Sequence, residues 1–115
     1  MEMNGIQLGF NHEYSEIAPT IEEVQFLSGY ALLEFGAPWC PHCQTGEVVI
    51  QQVLEEIAPQ LHIKIFDGKG RKLGRLFSVK LWPTLILLKE GREVERVVRP
   101  TSIDDVRKLT ALIEQ

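Results

Sequence analysis

A single α/β domain, a central mixed β-sheet with helices on both faces, is the architecture this sequence predicts. Three observations carry the prediction. Residues 30–35 form an apolar run of strand length, closed by Gly29 and Gly36 and interrupted only by Glu34. Strand-like and helix-like segments then alternate as far as residue 77. Two further strand-like runs flank a short turn and lead into a last amphipathic helix. At 115 residues the chain suits one core and is too short for two.

Along the chain, residues 1–19 show no clear period and are read as an N-terminal extension, with Ile6-Gln7-Leu8 a short edge strand. Thr20-Ile21-Glu22-Glu23 has the form of a capping box opening a helix to about Leu27, which Ser28-Gly29 ends. After the 30–35 strand, Val48, Val49, Val53, Leu54 and Ile57 recur at helical spacing, and the pattern stops at Ala58-Pro59. Residues 61–66 alternate as a second strand. Asp67-Gly68-Lys69-Gly70 turns the chain into a short helix through Leu73, Leu76 and Phe77. Residues 84–88 and 93–98 flank Lys89-Glu90-Gly91-Arg92 as a hairpin with Gly91 at its tight position. Ser102-Ile103-Asp104-Asp105 caps a helix whose apolar face is Ile103, Val106, Leu109 and Ile113.

Hydrophobic residues make up 44% and charged residues 24%, which excludes disordered and fibrous classes. No apolar run approaches the ~18 residues of a membrane span, and Met1-Glu2-Met3-Asn4-Gly5 lacks the basic flank and apolar stretch of a signal peptide. The expected compartment is therefore the cytoplasm, or the periplasm if a leader has been removed. The net charge of −4 hides an asymmetry: nine acidic residues precede Lys64, the first basic residue, and seven follow it, giving about −9 and +5. The basic residues are scattered rather than clustered with aromatics, so nucleic acid is not an expected partner.

The only two cysteines stand in Trp39-Cys40-Pro41-His42-Cys43, between a strand and a long helix. A sulfur at a helix N-terminus faces unpaired backbone amides and the positive end of the macrodipole, which favours the nucleophilic thiolate. Pro41 takes the first helical position, where its missing amide costs nothing. As a structural staple so short a loop would contribute only about 2 kcal/mol. A zinc site would need Cys40, Cys43 and two of His12, His42 and His62 to converge. The spacing and context point instead to a redox dithiol.

Phe35-Gly36-Ala37-Pro38-Trp39-Cys40-Pro41-His42-Cys43 resembles the active-site segment of thioredoxins, and Leu81-Trp82-Pro83-Thr84 with Gly91 resembles their cis-proline loop and following hairpin. The likeness runs from about Thr20 to the C-terminus and implies a thioredoxin fold. By that resemblance Cys40 is the exposed attacking thiol, Cys43 the buried resolving thiol, and Pro83 a cis-proline presenting backbone to an extended substrate. Trp39 shields the pair. Glu34 stands where thioredoxins carry a buried aspartate that relays a proton, and Lys64 stands at the family's buried lysine, able to pair with it. Pro41-His42 between the cysteines is similar to bacterial periplasmic disulfide oxidases, and an imidazole beside Cys40 would make the disulfide more oxidising. Trp82 before the proline and Arg99, where a glycine is usual, narrow or charge the substrate groove. His12 and His62 are read as surface or strand residues without a role.

The expected activity is thiol–disulfide exchange with protein cysteines, with no cofactor beyond the Cys40–Cys43 pair and no metal. A cytosolic reductase fed by a thioredoxin-reductase-like donor is the leading form, monomeric and without membrane partners. A disulfide oxidase or isomerase and a non-enzymatic adaptor are the alternatives.

Overall fold

A computed structural model describes residues 6–7, 20–37, 39–56, 61–66 and 72–113. In chain order these form β1 (Ile6–Gln7), α1 (Ile21–Gln25), β2 (Tyr30–Gly36), α2 (Pro41–Glu56), β3 (Leu61–Phe66), α3 (Lys72–Leu76), β4 (Thr84–Lys89), β5 (Arg92–Val98) and α4 (Ile103–Ile113). The sheet order is β1-β3-β2-β4-β5. β2 and β3 run parallel, as a strand–helix–strand crossover demands, and the other pairs are antiparallel. Ile57, the 67–70 turn, Leu8, His12 and Pro38 lie outside the described residues.

Strand alternation divides the interior in two. Ala31, Leu33 and Phe35 of β2, Ile63 and Ile65 of β3, and Ile86 and Leu88 of β4 meet Val24 of α1 and Leu73 of α3. The opposite face sends Leu32, Leu85 and Leu87 against Ile50, Val53 and Leu54 of α2 and Val106 and Leu109 of α4. The central strands are covered on both sides, which is why β2 reads as a continuous apolar run.

Local signals match their elements. Thr20 Oγ1 accepts from the Glu23 amide at 3.1 Å, and Glu23 Oε1 accepts from the Thr20 amide at 2.9 Å, a reciprocal cap. The β4–β5 turn is two residues long, and Glu90 and Gly91 both have positive φ, 52° and 78°, as a type I′ hairpin requires. A Cβ on Gly91 would collide with the Gln25 backbone at the end of α1. The Glu90 amide donates to the Gly29 carbonyl at 2.9 Å, so the hairpin tip is fastened to the loop that follows α1.

One helix face differs from the periodicity reading. Val48 is 69% exposed, and the buried positions of α2 are Cys43, Gly46, Ile50, Val53 and Leu54. Small residues turn inward near the helix start because the sheet and the loop before β4 approach closely there. An ideal Cβ on Gly46 would lie 3.4 Å from Pro83 Cγ. None of the described helices is long and apolar enough to cross a membrane.

Candidate active site

The end of β2 delivers the chain directly into the start of α2. Cys40 precedes the first helical residue, and Cys43 lies one turn on. The Cys43 amide, one of the donors left open at a helix start, points at Cys40 Sγ at 3.2 Å. Both cysteines are free thiols. Cys40 is 7% exposed and Cys43 3%. The expectation of an exposed Cys40 is thus corrected: Ala37 and Trp82 pack around the pair and leave the residue little exposed. Pro41 and His42 are exposed beside it, and Trp39 stands 62% exposed at the rim.

The loop before β4 forms the other wall. The Trp82–Pro83 peptide bond is cis, and Thr84 Oγ1 donates to the Leu81 carbonyl at 2.6 Å across the turn. Pro83 is buried against the start of α2, near Gly46. Arg99 fastens this loop twice, its amide donating to the Pro83 carbonyl at 2.8 Å and its Nε to the Trp82 carbonyl at 2.9 Å. It does so at φ 51°, a left-handed conformation that a glycine adopts without penalty and that an arginine adopts at about 1–2 kcal/mol.

Below the cysteines the α2-facing side of the sheet turns polar. Glu34 and His62 are both 0% exposed, and His62 Nε2 and Glu34 Oε1 lie 2.9 Å apart. Lys64, also buried, donates from Nζ to Glu47 Oε1 at 2.8 Å. Neither Glu34 nor Lys64 reaches solvent from a strand end. Lys64, expected to pair with Glu34, salt-bridges to Glu47 of the helix, and His62, set aside as a strand residue, is a buried partner of the acid. Its legible signal was the alternation of His62 and Lys64 with Ile63 and Ile65, which puts both polar residues on one face. Among the described residues no group of three or more His, Cys, Asp or Glu side chains is arranged to hold a metal ion.

A thioredoxin family model matches residues 15–113. The chain belongs to the thioredoxin family. It is 34% identical over 82 residues to the thioredoxin of Chlamydia trachomatis, covering 71% of this chain and 80% of that one. With the thioredoxin of Chlamydia pneumoniae it shares 37% over 92 residues, at coverages of 76% and 83%. Thioredoxin 2 of Pseudomonas aeruginosa, in its reduced form, superposes with a TM-score of 0.76 at 42% identity, over 88% of this chain and 94% of that structure. As a thioredoxin-family member the chain is a thiol–disulfide oxidoreductase that works through its cysteine pair. Family membership brings protein disulfides as substrates and a reductase as electron donor.

Proposed function

We propose that the protein is a cytosolic disulfide reductase in which Cys40 attacks and Cys43 resolves. The observation that carries this reading is the amide of Cys43 aimed at Cys40 Sγ from the start of α2. Of the two sulfurs, Cys40 receives the field of the helix terminus. Its thiolate attacks one sulfur of a client disulfide, forming a mixed disulfide and expelling a client thiolate. Cys43, deprotonated by Glu34, then attacks Cys40 Sγ. The Cys40–Cys43 disulfide forms, the second client thiolate leaves, and two electrons have passed from the dithiol to the client. A reductase donor returns them. Trp39, Trp82, Pro83 and Arg99 border the opening over Cys40 and hold the client chain, and no cofactor or metal is needed beyond the dithiol. The protein acts as a monomer, without nucleic acid or membrane. A cytosolic setting suits the cycle because the resting form must be the dithiol.

Trapping tests the roles. Cys43→Ser is expected to accumulate mixed disulfides with client proteins and Cys40→Ser to form none, read by mass after acid quench. Insulin reduction with dithiothreitol as donor should be lost in both variants. Equal trapping by the two would reverse or dissolve the assignment, and a wild-type protein unable to reduce insulin would favour an adaptor.

A further inference from the structure

We propose that His62 is the positioning residue of proton transfer at Cys43, aiming the Glu34 carboxyl and sharing the proton that it carries. The inference rests on the reading of Glu34 as the acid–base group for Cys43 and names what holds that group in place.

Geometry supports it from three directions. Ile63 and Ile65 of β3 enter the α1/α3 core, so His62 and Lys64 face α2. In the parallel register Glu34 lies opposite Lys64 and Leu32 opposite His62, which puts Glu34 on the same face. On α2, Cys43 and Glu47 are four residues apart on one side of the helix, and Glu47 reaches Lys64. Cys43, Glu47, Lys64, Glu34 and His62 therefore make one polar column under the helix start. β4 sets Leu85 and Leu87 on this face, with Lys89 at its exposed far end over the Tyr30 ring, α4 packs Val106 and Leu109 against it, and the charged pair seen within the column is Glu47 with Lys64. Within the column Lys64 donates to the helix carboxylate, and the imidazole contacts Glu34.

A carboxylate oxygen and an imidazole nitrogen 2.9 Å apart hold one proton between them. In the resting dithiol Cys43 keeps its own proton. On attack that proton moves to the Glu34–His62 pair, the Cys43 thiolate forms the bond to Cys40 Sγ, and the client sulfur leaves with the electron pair. On re-reduction the donor thiolate takes Cys40 Sγ, Cys43 is released as a thiolate, and the pair returns its proton.

The reaction of the reduced protein with 5,5′-dithiobis(2-nitrobenzoate) separates the steps, because the first nitrothiobenzoate leaves on attack by Cys40 and the second on closure by Cys43. His62→Gln keeps a donor to Glu34 but has no titration. It is expected to slow the second release relative to the first by about tenfold near pH 6.5, and by under about twofold near pH 9, where thiols ionise unaided. Glu34→Gln should slow the same step at least as much. If Glu34→Gln slows closure and His62→Gln leaves its pH profile unchanged, His62 is mere packing and the inference fails. If neither changes closure, the reading of Glu34 itself fails. Should His62→Gln not fold, the wild type decides: the His62 ring signals in nuclear magnetic resonance must titrate differently in the dithiol and disulfide forms, and identical curves would overturn the proposal.

Discussion

His42 stands exposed two residues beyond Cys40, on the first turn of α2, where a protonated imidazole would add to the positive potential of the helix terminus. Whatever stabilises the thiolate of the reduced form makes the disulfide a stronger oxidant, at about 30 mV for each 1.4 kcal/mol. His42→Pro is therefore expected to make the potential more negative by tens of millivolts, measured by equilibration with glutathione. A wild-type value at or below the cytosolic glutathione poise of about −220 to −260 mV fits a reductase, and a value near about −120 to −180 mV transfers the protein to the oxidase or isomerase reading. Cys40, Cys43, Pro83 and Glu34 were all legible as residues because motif and strand context identify them locally. His62 was not. Its partner lies 28 positions earlier on another strand, and alternation shows that His62 and Lys64 share a face without showing that a helix covers it. The near-burial of Cys40 was hidden for a similar reason, since Trp82 reaches it from a loop some 40 residues away.

Elements that carry their own punctuation were readable almost to the residue. The capping box of α1, the glycine-bounded β2 and the β4–β5 turn each act through contacts a few residues long. The inward face of α2 was less so, because Cys43 and Gly46 are buried by what approaches them, the sheet and Pro83, and not by their own hydrophobicity. Gly91 combines both kinds of constraint. Its φ of 78° is unfavourable for other residues, and the Gln25 backbone fills the space of a side chain. Gly91→Ala should destabilise the fold by more than the roughly 1–2 kcal/mol of a left-handed alanine, since α1 must also move away. Thermal unfolding checks this, and the neighbouring Glu90→Gly, which relaxes the other left-handed position, provides the contrast. An unchanged melting temperature in Gly91→Ala would mean that the hairpin tip is not pinned against α1.

At the scale of the whole molecule, the acidic first half and basic second half meet inside the fold at the Lys64–Glu47 pair, while two other carboxylates fasten outer elements. Glu93 binds Arg96, whose Nη2 also donates to the Phe77 carbonyl and so ties β5 to the end of α3. Asp105 Oδ2 accepts from the Thr101 and Ser102 amides and caps α4. The hydrogen bonds from Arg96 hold the Glu93 carboxyl below its ordinary 4.5, and the Thr101 and Ser102 bonds hold Asp105 below its ordinary 3.8. A carboxyl more acidic in the folded than in the unfolded chain stabilises the fold above its unfolded value and loses that contribution as pH falls through its folded value. The two groups should therefore contribute in full, and leave the melting temperature unchanged, between about pH 7 and 5, and lower it only below about pH 4.5. Both carboxylates are largely solvated, so salt should shrink the Glu93 part, an ion pair, more than the Asp105 part, a cap. A difference between variants isolates these surface ties from the other ionisable groups. The double variant Glu93→Gln, Asp105→Asn should melt below the wild type at pH 7, and the gap should narrow as pH is lowered toward 3, read by calorimetry at matched ionic strength. A gap that stays constant over that range would place the acid sensitivity of the fold in the buried column beneath Cys43.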